Sequence, residues 1–311
     1  MAKKKSRNLE YLIRREKEYQ EYLKKSDKKY EEKLIRLYNK TMDRIAAEIE
    51  HQYANYAKGQ GLTIDEAMDK IELFEAKAFE EKARQYVKTK DFSKRANDEL
   101  KMYNLKIRTS RLELMKREML LETMALADKE TKMLAKRLND VVLEELNRQS
   151  TILGLPKEVR KKLLKTAAVI INSNFHGAHF SHRIWANRDE LQRQLEIGIT
   201  RTAIQGENHR VWTKKLAELM TDTGKENALF NAKRIASTEV SRAFSESAIK
   251  SYQEGGFKKY IWIAEHDGRT CDICSELDGE IFDVEGSVIG GDTPPIHPFC
   301  RCTTAAYEER D

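Results

Sequence analysis

Apolar positions along the first 155 residues recur at intervals of three and four. From Asn8 to Tyr56 they include Leu12, Tyr19, Leu23, Tyr30, Leu34, Ile35, Tyr38, Met42 and Ile45, the spacing of one helix stripe. Gly59 and Gly61 close this segment. Thr63-Ile-Asp-Glu66 then has the form of a capping box, which predicts a second helix reaching about Lys88. Asp91-Phe-Ser-Lys opens a third stretch. From about Glu99 to Leu153 the stripe resumes through Leu105, Leu112, Met119, Met124, Leu134, Leu138, Val142 and Leu146. The spacing is not a strict heptad, so an antiparallel bundle or hairpin is expected rather than a coiled coil.

Gly154-Leu-Pro156 is the first strong stop. Beyond it, shorter helices are predicted at about 157–175, 182–202, 209–222 and 227–255, with Trp185, Leu191, Leu195 and Ile199 on one face of the second. The pattern then changes. Tyr260–Ala264 and Glu280–Val284 have the β-branched and aromatic content of short strands. Asp267-Gly268 and Asp278-Gly279 supply turns. The fold class expected is mainly α, with long N-terminal helices, a short-helix middle and a small C-terminal α+β module. The domains expected are 1–155, 156–255 and 256–311.

Composition sharpens this division. Three of the four prolines and seven of the fourteen glycines lie after residue 250. Charged residues make up 35% of the 311 and hydrophobic ones 40%, and the mean hydropathy is -0.71. No apolar run reaches the ~20 residues of a membrane span. Lys3-Lys4-Lys5 has no apolar stretch after it, so no secretory signal is expected. Charge is unevenly placed. Residues 1–40 hold fourteen Lys and Arg against seven Asp and Glu, about +7, whereas residues 261–311 hold three against twelve, about -9. A basic arm can bind nucleic acid by releasing counterions, and a solvated helix face is the plainer alternative.

All four cysteines fall in the last forty residues, as Cys271-Asp-Ile-Cys274 and His297-Pro-Phe-Cys300-Arg-Cys302. Two such half-sites joined by a loop suit a tetrahedral zinc ion, with thiolate and imidazole ligands. Five residues compete for four places. Cys271 and Cys274 form one pair and Cys300 serves either scheme, while His297 or Cys302 completes the set. A closed, thiolate-rich set points to a structural metal, which adds on the order of 10 kcal/mol to a module too small for its own core. Disulfides are the alternative.

Other polar groups are weaker candidates. His176, His179 and His182 are spaced by three, but Gly177 interrupts a helix there and no carboxylate or cysteine accompanies them. Glu239 and Arg242 suit a local ion pair. No phosphate loop, nucleophile elbow or kinase motif occurs.

Residues from about Ser181 to Thr303 resemble the head morphogenesis domain of tailed bacteriophages, the Mu-F-like or minor head protein family. The resemblance rests on Phe180-Ser-His-Arg-Ile-Trp185-Ala-Asn187, Arg234-Ile-Ala-Ser-Thr-Glu239 with Arg242-Ala243, and Trp262. It continues through Asp267-Gly-Arg-Thr-Cys-Asp-Ile-Cys274, Leu277-Asp-Gly279, Phe282 and Pro294-Pro-Ile-His-Pro-Phe-Cys-Arg-Cys-Thr303. Phe299 stands where the family usually has asparagine. The resemblance implies a few-copy, non-enzymatic protein of the capsid interior, present in the host cytoplasm during assembly. Its implied partners are the portal and the capsid or scaffold proteins, with double-stranded DNA bound non-specifically by the basic helices. A rival reading is a metal-dependent hydrolase or nuclease, which needs an open metal position beside Asp267, Glu239 or Asp278.

Overall fold

The computed structural model describes residues 7–59, 111–205, 227–268 and 270–308. The helices expected at 63–88 and 209–222 lie outside them. Helix α1 is Arg7–Gly59 and α2 is Arg111–Ile152, two long helices where the stripes predicted them. The short helices α3 (Lys157–Lys165) and α4 (Ala167–Ile171) follow, then α5 (Phe180–Gln205) and α6 (Ala228–Glu254). The C-terminal part holds β1 (Lys259–Ile263), α7 (Asp272–Glu276), β2 (Ile281–Asp283) and β3 (Thr303–Tyr307).

One helix was expected over 157–175 and two are present. Thr166 breaks it: its N–H reaches Leu163 and Leu164, and its hydroxyl donates to the Leu163 carbonyl at 2.7 Å. That side-chain bond competes with the regular ladder and tightens the turn. The strand β3 was not foreseen.

The described chain divides into two compact units. The first takes the chain up to Glu31, Met133–Arg183 and the chain from Lys233 on; the second takes Glu32–Lys132 and Ile184–Ala232. In the first unit, Arg148 donates to Glu16 at 2.5 Å and Arg137 to Asp27 at 3.0 Å. In the second, Tyr38 donates to Glu130 at 2.7 Å and Arg44 pairs with Glu122 at 2.8 Å. Rising numbers on α1 meet falling numbers on α2, so the two helices run antiparallel.

The second unit is a helical core. Leu34, Tyr38, Met42, Ile45 and Ile49 of α1, Leu121, Met124 and Leu126 of α2, and Ile184, Leu191, Leu195 and Ile199 of α5 are buried. The face expected on α5 is thus the buried one. Several polar groups within it are paired: Thr123 donates to Gln192 at 2.9 Å, and Asn187 donates to Tyr38 at 3.2 Å and to the Ala228 carbonyl at 2.9 Å.

The first unit contains the sheet, in the order β2-β1-β3 and antiparallel throughout. Tyr260 faces Phe282 and Ala306, while Ile261 faces Ile281 and Ala305. Alternation gives the sheet two working faces. Ile261, Ile263 and Ala305 pack with Leu9 and Leu12 of α1. Tyr260 and Ala306 pack with Ala248, Ile249 and Tyr252 of α6, and the Tyr252 hydroxyl donates to the Thr304 carbonyl at 3.0 Å. Trp262, fully buried on β1, packs with Cys274, Cys300 and Cys302.

Candidate metal centre

The first pair of cysteines is set by a single helical turn. Cys271 caps α7 in an extended conformation and its sulfur accepts the N–H of Cys274 at 3.4 Å. Three residues of helix turn Cys274 inward, fully buried, and leave Ile273 facing out. The second half-site is a tight reversal. Cys300 N–H donates to the His297 carbonyl at 3.2 Å, and Phe299 between them has φ 62°. Cys302 immediately precedes β3, so pairing with β1 fixes its position.

An ion pair joins the two halves. Asp267 and Thr270 close a turn through Thr270 N–H to the Asp267 carbonyl at 3.0 Å. The Asp267 carboxylate accepts from Arg301 at 2.9 Å. The Asp-Gly-Arg-Thr and Cys-Arg-Cys segments are therefore locked together by one acid and one base. Asp278 accepts from the Ala264 N–H at 2.8 Å and pairs with His266 at 2.9 Å, closing the loop that carries the first pair.

The five donors predicted from spacing all come together. Donor atoms of Cys271, Cys274 and His297 lie within 4.8 Å of one another, and so do those of Cys274, Cys300 and Cys302. Cys274 belongs to both groups. All four cysteines are free thiols. The Cys274 and Cys300 sulfurs are 3.8 Å apart, well beyond a disulfide bond of about 2.05 Å. They stand instead at the edge length of a tetrahedron with zinc–sulfur bonds of about 2.3 Å. His297 is set up in the same sense. Its Nδ1 contacts the Pro298 carbonyl at 2.8 Å, and a carbonyl only accepts, so the proton resides on Nδ1. Nε2 is left with a bare lone pair, buried and without a partner. That tautomer is the one a metal ligand requires. The donor set therefore fits a metal ion, with both His297 and Cys302 within reach.

The thiols are electrostatically crowded. Hydrogen bonding from Cys302 holds Cys300 down at about 6, against the effect of burial. Burial, reinforced by Cys300, pushes Cys274 up to about 12. Sharing a proton with Cys300, and burial, drive Cys302 upward as well. Three sulfurs this close do not all ionise without a cation among them.

The histidine triplet forms no donor cluster, although the His179 and His182 rings lie edge to face at 6.3 Å. His176, at φ 44°, and Gly177 form a turn ahead of α5. His179 accepts the N–H of Ser181 at 3.3 Å, and burial lowers its pKa. Among the described residues, metal-capable groups occur only at the cysteine cluster.

Glu239 and Arg242 are paired at 2.7 Å as expected, but inside a larger buried network that spacing did not reveal. Glu239 also accepts from Arg183 at 2.6 Å, and Arg242 donates to the Ile170 carbonyl, Ser173 and Glu246. The network pins the segment after α4 to α5 and α6. Asp267, Glu239 and Asp278, the carboxylates a hydrolytic site would draw on, are thus bound to Arg301, to Arg183 and Arg242, and to His266.

A comparison with protein families matches residues 193–305 to the family described as Phage Mu protein F like protein. No curated protein and no solved structure matches the chain. The match contains α6, the whole sheet apart from its last residues, and all five donors. Over these residues, rather more than a third of the chain, the protein is similar to the Phage Mu protein F like family.

Proposed function

We propose that this protein is a minor head component of a tailed bacteriophage that acts by binding, not by catalysis. It is incorporated during head assembly in the host cytoplasm and retained in the capsid interior. The observation that carries this reading is the five-donor cluster, folded around the Asp267–Arg301 pair, inside the matched domain. A zinc ion held by Cys271, Cys274, Cys300 and either His297 or Cys302 would staple the sheet module, supplying rigidity and no chemistry. The acidic module would present a protein contact, with the portal protein as its partner. The basic stretch of α1 would lie against packaged double-stranded DNA. Exposed Lys25, Lys28 and Lys29 support the last point.

Three measurements test the reading. Metal analysis of the purified protein is expected to give one zinc per chain, lost in Cys274→Ser. A comparison of Cys302→Ser with His297→Ala identifies the fourth ligand as the variant that loses metal. Binding to duplex DNA is expected to be independent of sequence and to weaken steeply between about 50 and 200 mM salt. Affinity that is flat over this range would end the DNA assignment, and failure to co-assemble with the portal protein of the same phage would end the head assignment.

A further inference from the structure

We infer that α3 is a seat for the phosphate backbone of duplex DNA, gripped by Lys157, Lys161 and Lys165. The inference rests on the DNA reading above and gives it a second, denser contact in addition to α1. Of the 9 residues of α3, five are Lys or Arg and one is acidic, whereas α1 holds thirteen against ten over its 53. Lys157, Lys161 and Lys165 are spaced by four. That spacing sets them on one side of the helix, about 6 Å apart along its axis. All three are exposed, and none has a hydrogen bond or ion pair among the described residues.

Neither of the usual reasons for a basic helix face accounts for this row. Pairing within the helix is absent: Glu158 is the one acid of α3, and Lys162, four residues on, is held by Glu254 instead. The helix dipole explains Lys165, which lies in the last turn, where cations are favoured. It does not explain Lys157, which opens the helix at its positive end, where a cation is disfavoured. A lysine set there against the local field finds its counter-charge outside the helix.

The helix is fastened by its other residues. Leu163, two positions past Lys161 and so on the opposite side, is fully buried. Arg160 donates twice to the Asn147 side chain of α2, at 2.9 and 2.7 Å, and Lys162 pairs with Glu254 of α6 at 2.7 Å. Lys250, one turn earlier on α6, lies 3.8 Å from the same carboxylate, so one acid is shared by two cations. These ties spend Arg160 and Lys162 and leave the lysine row facing solvent. α3 presents no exposed large apolar side chain of its own; Val169 belongs to α4. A protein partner is ordinarily met by an apolar core within a polar rim. A polyanion needs none. Duplex DNA carries one charge per about 1.7 Å of its axis, so a row about 12 Å long meets several phosphates whatever the base sequence.

Titration of the metal-loaded, full chain with duplex DNA of mixed sequence, between about 50 and 200 mM salt, tests the seat. The triple variant Lys157→Gln, Lys161→Gln, Lys165→Gln removes three charges and no protein contact. Glutamine is a good helix former, so the fold is retained, as circular dichroism will show. Three lost phosphate contacts lower the salt slope by about 2.7, so wild type is expected to lose about fortyfold more affinity over this range than the variant. Lys161→Gln alone is expected to lower the slope by about one. The triple arginine variant, which keeps the charges, is expected to keep the wild-type slope. An unchanged slope in the glutamine variants overturns the seat but leaves the DNA reading, which wild-type binding carries by itself. No binding of DNA by wild type ends both. Polyglutamate bound as tightly as DNA at matched charge, and lost in the same triple variant, would assign the face to an acidic protein and overturn the inference as well.

Discussion

Two residues depart from what their surroundings favour, and both departures are measurable. Phe299 adopts φ 62°, a left-handed conformation that costs a residue with a Cβ about 1–2 kcal/mol and that asparagine tolerates. The reversal needs this geometry to bring Cys300 back toward His297. Phe299→Asn is therefore expected to stabilise the protein by roughly 1 kcal/mol, seen as a higher midpoint in chemical denaturation. A lower midpoint would show that packing of the phenyl ring outweighs the backbone. Glu130 is the second case. Burial pushes its carboxyl up to about 7, and only the Tyr38 hydroxyl opposes that effect. The folded state thus holds this proton more tightly than the unfolded chain. The stabilisation is complete below about pH 4.5 and is lost as pH rises toward about 7. Glu130→Gln removes the cost of ionisation. At pH 8 the variant is expected to be more stable than wild type by up to about 3 kcal/mol, and at pH 4.5 the two nearly coincide. Parallel pH profiles would refute this account. Neither effect was legible in the sequence: a backbone angle and a missing cation are both properties of the folded surroundings.

Among the elements, the sheet depends on its sulfur cluster in a way the helices do not. Cys302 leads directly into β3, and Trp262 of β1 packs against three of the cysteines. β2 contributes only three residues. A sheet this small has little stability of its own. Chelation is expected to abolish the fixed environment of Trp262 and expose the four thiols to a colorimetric reagent. Most of the far-ultraviolet helix signal should persist, because α1 and α2 are held mainly by one another and by α5 and α6. Thiols that stay unreactive after the metal is stripped would mean that packing alone holds the module. The long helices were legible because a stripe repeated over forty or more residues has no rival interpretation. The break at Thr166 was not, since it turns on one hydroxyl bonding backward. Nor was β3, where Thr303-Thr-Ala-Ala-Tyr307 is too short and too small-chained to mark a strand without knowledge of its partner, β1.

At the scale of the whole molecule, the sequence showed where chemistry was concentrated but not how the chain is apportioned. Cysteine spacing named the five residues that lie together, because such half-sites are local and leave a short-range trace. The tie between Asp267 and Arg301 spans thirty-four positions and leaves none. The same holds for Glu16, Glu145, Arg148 and Gln149, which sit together in the first unit. Arg148 and Gln149 each donate to both carboxylates, and burial pushes Glu16 up to about 7. Read along the chain, these residues are ordinary members of two charged helices.

Leu9 and Leu12 pack against Ile261, Ile263 and Ala305, and Lys24 pairs with Glu265. Synthesis proceeds from one end, so α1 leaves the ribosome with its apolar stripe uncovered. Ile152 and Leu153, which also pack against this cluster, are made earlier, but the sheet surface that covers it is made only after some 250 further residues. The sheet side of the first unit therefore forms only after β1 and β3 have been made. A chain that stops before β1 would carry a sticky amphipathic helix. Truncation after α6 should leave that helix exposed to chaperones and proteases, seen as faster proteolysis of α1 than in the chain that includes β1 and β3.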